Sequence, residues 1–320
     1  MSRYIIKRIL MMIPVLIGVV VIIFTINYFS SVSPAVVICG PTATQEQLDA
    51  KTAELGLDRS YFVQLADYFW KIITKGSFGT SYIYKQPVLS LIMSRMPVTI
   101  KIGFFAALLS AVIGIPLGIL AAVKQNSIFD YVSTVLSVVL SAMPPFFVCL
   151  ILMLFFSVRL KWFPVQGIDG WKSFVLPIVA TGIMPIAMTT RMTRSSMLEV
   201  IRQDYIRTAR AKGVSERTII WKHTLKNALI PIITVVGMNL GLSMTGSVLC
   251  ETIFNIPGLG LLMNNSIAMR DFITTQGCVL VCAFIISGMN LLTDLCYALV
   301  DPRIKAQYRS EKKQRKGARE

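Results

Sequence analysis

Long apolar runs separated by shorter polar stretches dominate the hydrophobic pattern of this chain. Six runs approach the roughly 20 residues that a helix needs to cross a bilayer. They lie at about 9–29, 98–123, 129–157, 174–190, 229–250 and 277–300. The fourth run is short, and its helix is expected to continue past the membrane beyond Arg191. The pattern predicts an all-α polytopic membrane protein with six transmembrane helices.

The first run, within residues 1–29, is interpreted as a retained transmembrane helix. It is longer than the apolar region of a signal peptide, and no A-x-A-like cleavage site follows it. Residues 30–95 then predict a small helical cap outside the membrane. Thr44 and Gln47 have the spacing of a capping box, Gly56 fits a helix stop, and an apolar face follows at helical spacing. The residues of that face are Phe62, Leu65, Ala66 and Phe69.

The positions of Lys and Arg predict the orientation. With the N-terminus in the cytoplasm, the cytoplasmic segments 1–8, 124–128, 191–228 and 301–320 contain 21 of the 32 basic residues. Positive charge favours the cytoplasmic side of a membrane protein, so both termini are expected there. The basic tail, 301–320, has few apolar residues and is expected to be disordered. The formal net charge of +16 is therefore interpreted as a topology signal, with no nucleic acid as a partner.

Composition and motifs speak against an enzyme. The chain is 54% hydrophobic and only 15% charged, with a mean hydropathy of +0.66. It contains no phosphate-binding loop, no H-E-x-x-H and no G-x-S-x-G motif, and its one histidine is His223. No cofactor or metal site is predicted. The six cysteines lie mostly in apolar runs, where small packing residues are the expected role.

Few polar groups interrupt the apolar runs. Asp294 is the main acid, and two interpretations are open: an ion or proton path, or a pair with a nearby Lys or Arg. Asn239 and Asn290 are expected to form hydrogen bonds between helices. The Gly114-x-x-x-Gly118 spacing permits close helix packing. Pro116 and the pair Pro144-Pro145 predict bends inside spans.

The loop 191–228 has a pattern of its own. A helix is expected from about Ser195 to Lys212, with Gly213 as its stop and Ser215 as the N-cap of a second helix that enters the fifth span. Leu198, Ile201, Tyr205 and Thr208 would form the apolar face of the first helix. Small residues at Ala209 and Ala211 precede the bend. Two interpretations are open: a basic loop that only sets topology, or a docking surface for a partner.

The run DYIRTARAKG followed by RTIIWKHTLKNALIP resembles the cytoplasmic loop of binding-protein-dependent ABC importer permeases, in the dipeptide, oligopeptide and nickel branch. ETIFNIPGLGLLMNNSIAMRDF, from Glu251 to Phe272, and GLDRSYFVQLADYFWKIITKGSFGTSY in the cap resemble segments of the same branch. The loop lacks the acid of the more general E-A-A-x-x-x-G pattern, as that branch does.

The resemblance implies a type I ABC importer transmembrane domain over residues 96–300, with an extra N-terminal helix and the external cap. It implies a second homologous permease, two ATPase subunits and a solute-binding protein as partners, ATP hydrolysis on those separate subunits, and a prokaryotic plasma membrane location. The residues expected to couple to the ATPase are Tyr205, Thr208, Ala209, Ala211, Gly213 and Ser215. Pro257, Gly258 and Gly260 are expected to form a tight outer turn.

The alternative from another class is a stand-alone ion-coupled transporter or channel. That class needs ion ligands or a ring of selectivity groups, and the spans show neither clearly. Peptides are the expected substrate of an importer of this branch, and nickel chelates or other small solutes stay open.

Overall fold

The computed structural model describes residues 2–30 and 32–300, which form helices and no strand. This agrees with the all-α prediction. The basic tail predicted at 301–320 lies outside the described residues. One helix begins the chain: α1, Ser2–Tyr28. Three short helices then form the cap: α2, Pro34–Cys39; α3, Gln45–Leu55; and α4, Tyr61–Lys75.

The remaining helices form the bundle. They are α5, Val88–Leu109; α6, Ile115–Val123; α7, Ile128–Ala142; α8, Pro145–Leu152; α9, Lys172–Ile201; α10, Asp204–Ala211; α11, Glu216–Thr218; α12, Lys226–Met244; α13, Val248–Ile253; α14, Leu259–Ala268; and α15, Phe272–Val300. Two π-helical segments join neighbouring helices: Ser110–Gly114 joins α5 to α6, and Ile219–Leu225 joins α11 to α12. A third, Met153–Arg159, extends α8.

Five helical segments of the described chain are long and apolar enough to cross a membrane. They are Ile6–Tyr28, Val88–Val123, Lys172–Ile201, Glu216–Met244 and Phe272–Cys296. The remaining predicted span, 129–157, is a bent pair of α7 and the extended α8, whose axes differ by 103°. The bend lies at Pro144, where the backbone is extended, because proline removes a helical hydrogen bond and restricts the residue before it.

Glycines allow the central helices to pack closely. A β-carbon on Gly114 would lie 2.9 Å from Thr189 Cβ, and one on Gly118 would lie 2.5 Å from Thr193 Cβ. A β-carbon on Gly103 would lie 2.3 Å from the backbone oxygen of Ser243. The Gly114-x-x-x-Gly118 prediction is therefore confirmed, since α6 contacts α9 through these positions.

Charged pairs connect helices that are distant in sequence. Arg8 Nε lies 3.0 Å from Asp294 Oδ2 and joins α1 to α15, which supports the pairing interpretation of Asp294. Asp130 of α7 is buried and accepts two hydrogen bonds from the Arg194 guanidinium of α9, at 2.5 and 2.7 Å. No sequence pattern selects this second pair, because the two residues are 64 positions apart.

The cap has the predicted helix boundaries. Gln47 N donates to Thr44 Oγ1, the Gln47 side chain accepts from Thr44 N, and Gly56 ends α3 with a left-handed φ of 67°. Of the predicted face of α4, Leu65 and Phe69 are half-buried, whereas Phe62 and Ala66 are exposed. Phe62 is 77% exposed, and Tyr61 instead faces α1, where its hydroxyl lies 2.7 Å from Thr25 Oγ1 and its ring contacts Phe24.

Candidate functional site

The loop between α9 and α12 is built around the short helix α10. The chain leaves α9 at Ile201 and turns through Gln203, whose extended ψ of 147° ends one helix before the next begins. The single helix predicted from Ser195 to Lys212 is therefore wrong, because it is two helices. Only Ile206 of α10 is fully buried, and it anchors the helix to the rest of the protein.

The anchoring side chain also differs from the predicted one. Tyr205 and Thr208, expected on the apolar face, are exposed, and their neighbour Ile206 occupies the interior position. The Tyr205 hydroxyl accepts from Asn227 Nδ2 at 3.1 Å, which ties α10 to the start of α12. The sequence pattern assigned the interior position to Tyr205, one residue before the buried Ile206, because it treated α9 and α10 as one continuous helix.

The bend after α10 is stabilised by the backbone conformation of Gly213 and by an ion pair across it. Gly213 has a left-handed φ of 78°, and no atom lies within 4 Å of the position of a β-carbon, so backbone conformation alone requires glycine there. Arg210 donates to the Glu216 carboxylate across the bend, at 2.7 and 3.3 Å. The Arg210 guanidinium lowers the pKa of Glu216 below its usual range. Ser215 has the extended backbone of an N-cap, and its hydroxyl lies 2.9 Å from Thr218 Oγ1.

The structure brings the six predicted coupling residues together in one segment. Ala209 is half-buried, and the other five are exposed: Tyr205, Thr208, Ala211, Gly213 and Ser215. The exposed surface of α10 and the bend also carries Arg207, Lys212 and Arg217, so it combines small side chains with positive charge. Such a surface permits close approach of a partner and favours an acidic one.

The predicted outer turn is a buried elbow between α13 and α14. Gly258 and Gly260 are both buried, and neither has a positive φ. Their glycine character has another cause: a β-carbon on Gly258 would lie 2.4 Å from Glu251 Oε2, and one on Gly260 would lie 2.9 Å from the same atom. Tight packing around a carboxylate, and not turn conformation, explains these residues.

Glu251 organises this elbow, and its role was not found from the sequence. Its side chain is 1% exposed. It accepts from Thr99 Oγ1 of α5 at 2.8 Å and from Leu261 N at 3.0 Å. Thr99 Oγ1 in turn accepts from Leu259 N at 2.7 Å. A single acid in an apolar segment was the only available signal, and its partner lies 152 residues away.

A cavity of about 240 Å³ lies between α8, α9 and the end of α12. Its wall combines apolar and sulfur-containing side chains with uncharged polar groups. The polar residues are Thr181, Asn239, Ser243 and Ser247. Asn239 was expected to bond a neighbouring helix, but its Nδ2 is buried and forms no hydrogen bond with the residues that the structure describes, and Asn239 lines this cavity. Asn290, predicted to do the same, is exposed.

The part of the chain that the structure describes offers no group of three or more His, Cys, Asp or Glu side chains suited to a metal ion. The cysteines are free thiols, and three of them, Cys149, Cys250 and Cys278, are buried. The site features are thus a basic loop at one end of the bundle, and an elbow and an uncharged cavity within it.

Comparison with protein families accounts for this combination. Residues 114–306 match the binding-protein-dependent transport system inner membrane component family, and residues 1–103 match the N-terminal family of the same membrane components. The chain belongs to the binding-protein-dependent transport permeases. It is therefore a multi-pass inner-membrane component of such a system, and this membership decides against the stand-alone channel or ion-coupled transporter.

Relatives of this permease have full-length similarity. The dipeptide transport system permease protein DppB of Alkalihalophilus pseudofirmus is 38% identical over 95% of this chain and 100% of its own length. The glutathione transport system permease protein GsiC of Salmonella choleraesuis is also 38% identical, over 95% of this chain and 99% of its own. Putative peptide transport permeases of Brucella abortus follow at 37% identity.

The fold of the permease also occurs in a solved transporter. An inward-facing structure of the MetNI methionine ABC transporter superposes with a TM-score of 0.55 and 18% identity, covering 67% of this chain and 97% of the other. The type I importer fold expected for the core is thereby confirmed.

Proposed function

We propose that this permease is one of two homologous membrane subunits of an ATP-driven importer for peptides or peptide-like solutes. A solute-binding protein delivers the solute, and two separate ATPase subunits supply the energy. The names of the relatives, which are dipeptide and glutathione transport permeases, support a solute with amide bonds and charged termini. A bare metal ion is less well supported, because no cluster of metal ligands is found among the described residues.

The architecture of α10 is the observation that carries the proposal. Its surface is exposed and positively charged, its one buried side chain holds it to the bundle, and it lies between two spans. A partner that moves α10 therefore moves α9 and α12 together, because both are covalently continuous with the loop. ATP binding and hydrolysis on the partner would then bias the bundle between two arrangements, as alternating access requires.

The cavity suits the passage of a peptide. Its wall contains no charged side chain, and Asn239 Nδ2 can donate to a solute carbonyl without breaking an existing bond. Uncharged groups bind a zwitterion weakly, which favours release during transport over retention. The Asn239→Leu variant should therefore lower the rate of dipeptide uptake while leaving assembly with the other subunits unchanged.

The coupling role of α10 is tested by adding bulk to its exposed surface. Ala211→Trp should prevent close docking without an internal clash, because Ala211 is exposed. Gly213→Val should strain the bend, whereas Gly213→Asn should be tolerated, since asparagine adopts a left-handed φ and valine does not. The measurement is ATP hydrolysis stimulated by the solute-binding protein, together with co-purification of the ATPase.

Ala53→Trp, on the exposed surface of α3 in the cap, is the matched control and should leave both measurements unchanged. We expect Ala211→Trp and Gly213→Val to reduce stimulated hydrolysis at least about tenfold, the equivalent of about 1.4 kcal/mol of lost docking energy. Normal stimulation in both variants would show that the loop only sets topology.

A further inference from the structure

A second, larger cavity of about 580 Å³ lies away from the proposed path, between the outer end of α1, the cap and the first turn of α15. Its size is in the range of small-molecule sites. Phe24 and Tyr28 of α1 line one side, and Phe272 and Gln276 of α15 line another. The cap closes it with residues of α4 and of the α3–α4 connection, Arg59 among them.

The position of the cavity corresponds to the lipid headgroup region. Two candidate spans, Ile6–Tyr28 and Phe272–Cys296, end or begin at its wall, so it lies where hydrocarbon gives way to water. Aromatic side chains prefer that depth. Tyr61 contacts the rings of Phe24 and Tyr28 with centroids 5.7 and 5.2 Å apart, and Tyr68 lies 5.9 Å from Phe24.

Two polar groups in the wall have no partner in the protein. Asn27 Nδ2 and the Tyr68 hydroxyl are both buried, and neither forms a hydrogen bond with the described residues. A buried polar group without a partner costs free energy, so native proteins rarely leave one unsatisfied. Burial in this wall also raises the pKa of Tyr68, so its hydroxyl is protonated and can donate. Both groups can therefore donate to an acceptor inside the cavity.

The charges of the wall favour an anion. Lys71 pairs with Asp67 at 2.7 Å and lowers the pKa of that carboxyl, and the nearby Arg59 lowers it further. Two cations and one carboxylate leave a net positive charge. Arg59 forms no ion pair within the described ranges, 2–30 and 32–300, and a guanidinium suits the bidentate recognition of phosphate.

We propose that this cavity binds a phospholipid, with its phosphate beside Arg59 and accepting from Tyr68 and Asn27, and with its acyl chains along the exposed surface of α1. The bound lipid fills the space between the cap and the bundle and holds the cap at a fixed height above the membrane. α1 is suited to this role, because only 6% of its most apolar 18-residue stretch is buried in the protein.

The experiment is native mass spectrometry of the full-length chain purified in detergent, with and without added phosphatidylglycerol. One phospholipid per chain should stay bound. Arg59→Gln should weaken its retention about tenfold, because it removes the charge-assisted hydrogen bonds from the guanidinium to the phosphate. Lys75→Gln is the matched control: it removes a cation from the same cap, outside the cavity wall, and should retain the lipid.

The Tyr68→Phe variant tests whether the cavity holds a lipid or water. It preserves the ring contacts and removes the unpartnered hydroxyl, so lipid retention should fall while the apparent melting temperature in delipidated detergent stays the same or rises. Diacylglycerol, which lacks phosphate, and inorganic phosphate, which lacks acyl chains, should not displace the bound lipid.

Three results would overturn the proposal: equal retention in Arg59→Gln and the parent, equal losses in Arg59→Gln and Lys75→Gln, or displacement by inorganic phosphate alone. Equal retention in Arg59→Gln and the parent would indicate a water-filled cavity. Equal losses in the two variants would indicate nonspecific attraction of lipid to the positive charge of the cap. Displacement by inorganic phosphate would indicate a site for free phosphate.

Discussion

At the scale of single residues, the elbow around Glu251 depends on the close approach of Gly258 and Gly260 to the Glu251 carboxylate. The Glu251 carboxylate is buried against Gly258 and Gly260, and its acceptor atoms are used by Thr99 and by backbone amides. A carboxylate needs such donors to be stable in an apolar interior. The glycines leave the space in which these donors reach it.

Gly258→Ala should therefore destabilise the protein. The added methyl group would lie 2.4 Å from Glu251 Oε2 and 2.6 Å from Thr99 Oγ1. Overpacking of this kind costs about 1–3 kcal/mol, which thermal unfolding in detergent detects as a lower melting temperature. Gly288→Ala is the control, because no atom lies within 4 Å of its β-carbon position in α15. Equal melting temperatures for the two variants would contradict the packing argument.

The Arg210–Glu216 pair predicts a pH dependence for the bend that follows α10. The pKa of Glu216 is lowered in the folded protein, so its contribution is fully present above the usual value of 4.5 and is lost as the pH falls through the lower folded value. Hydrogen exchange of residues 204–217 should therefore be slow at neutral pH, after correction for intrinsic rates, and should increase as the pH falls from 4.5 through the lower folded value.

Glu216→Gln should show the faster exchange already at neutral pH. Arg207→Gln should not, because Arg207 and Asp204 are 3.8 Å apart and highly exposed, and such pairs contribute little. An unchanged exchange rate in Glu216→Gln would mean that Gly213 alone sets the angle.

At the scale of elements, the bent α7–α8 pair depends on its attachment to α9. Most of α7 is exposed on one side, where Ile128, Val132 and Val135 face outward. The Asp130–Arg194 pair fixes its first turn, with Asn126 N donating to the same carboxylate at 3.0 Å. The pair therefore sets the position of a helix that has few other buried contacts.

Asp130→Asn should lower stability measurably, by about 1–3 kcal/mol, because it leaves the half-buried Arg194 guanidinium without its counter-charge. Lys51→Gln, which removes an exposed pair with Glu54, should change stability by less than about 0.5 kcal/mol. Thermal unfolding of both variants in the same detergent makes the comparison. Similar melting temperatures would show that α7 is held by apolar contacts alone.

At the scale of the whole molecule, the distribution of positive charge predicts which end of the bundle faces the cytoplasm. The loop with α10 and the N-terminus of α1 should lie on that side, and the cap on the other. In a cysteine-free background, Ser215→Cys should resist a membrane-impermeant maleimide in intact cells, and Glu54→Cys in the cap should react. Both positions are exposed, so access alone decides the result. The reverse pattern would invert the proposed orientation.

The sequence by itself determined the helical membrane class, the positions of the candidate spans, the ends of α3 in the cap and the glycine stop at Gly213. These features depend on local patterns. The length of an apolar run, a capping residue and the conformation of a glycine each involve one continuous stretch of the chain. The family was also evident from the sequence, because its motifs are continuous segments of the chain.

Only the tertiary structure decided which residues meet. The pairing of Asp130 with Arg194, the burial of Glu251 beside Gly258, the orientation of Asn239 into a cavity and the interruption between α9 and α10 all depend on contacts between distant segments. Apolar periodicity assigned Tyr205 to the interior and gave Ile206 no role, since a one-residue shift in helix phase leaves the average hydrophobicity almost unchanged. Close packing has no such tolerance, and it selects a single side chain for each position.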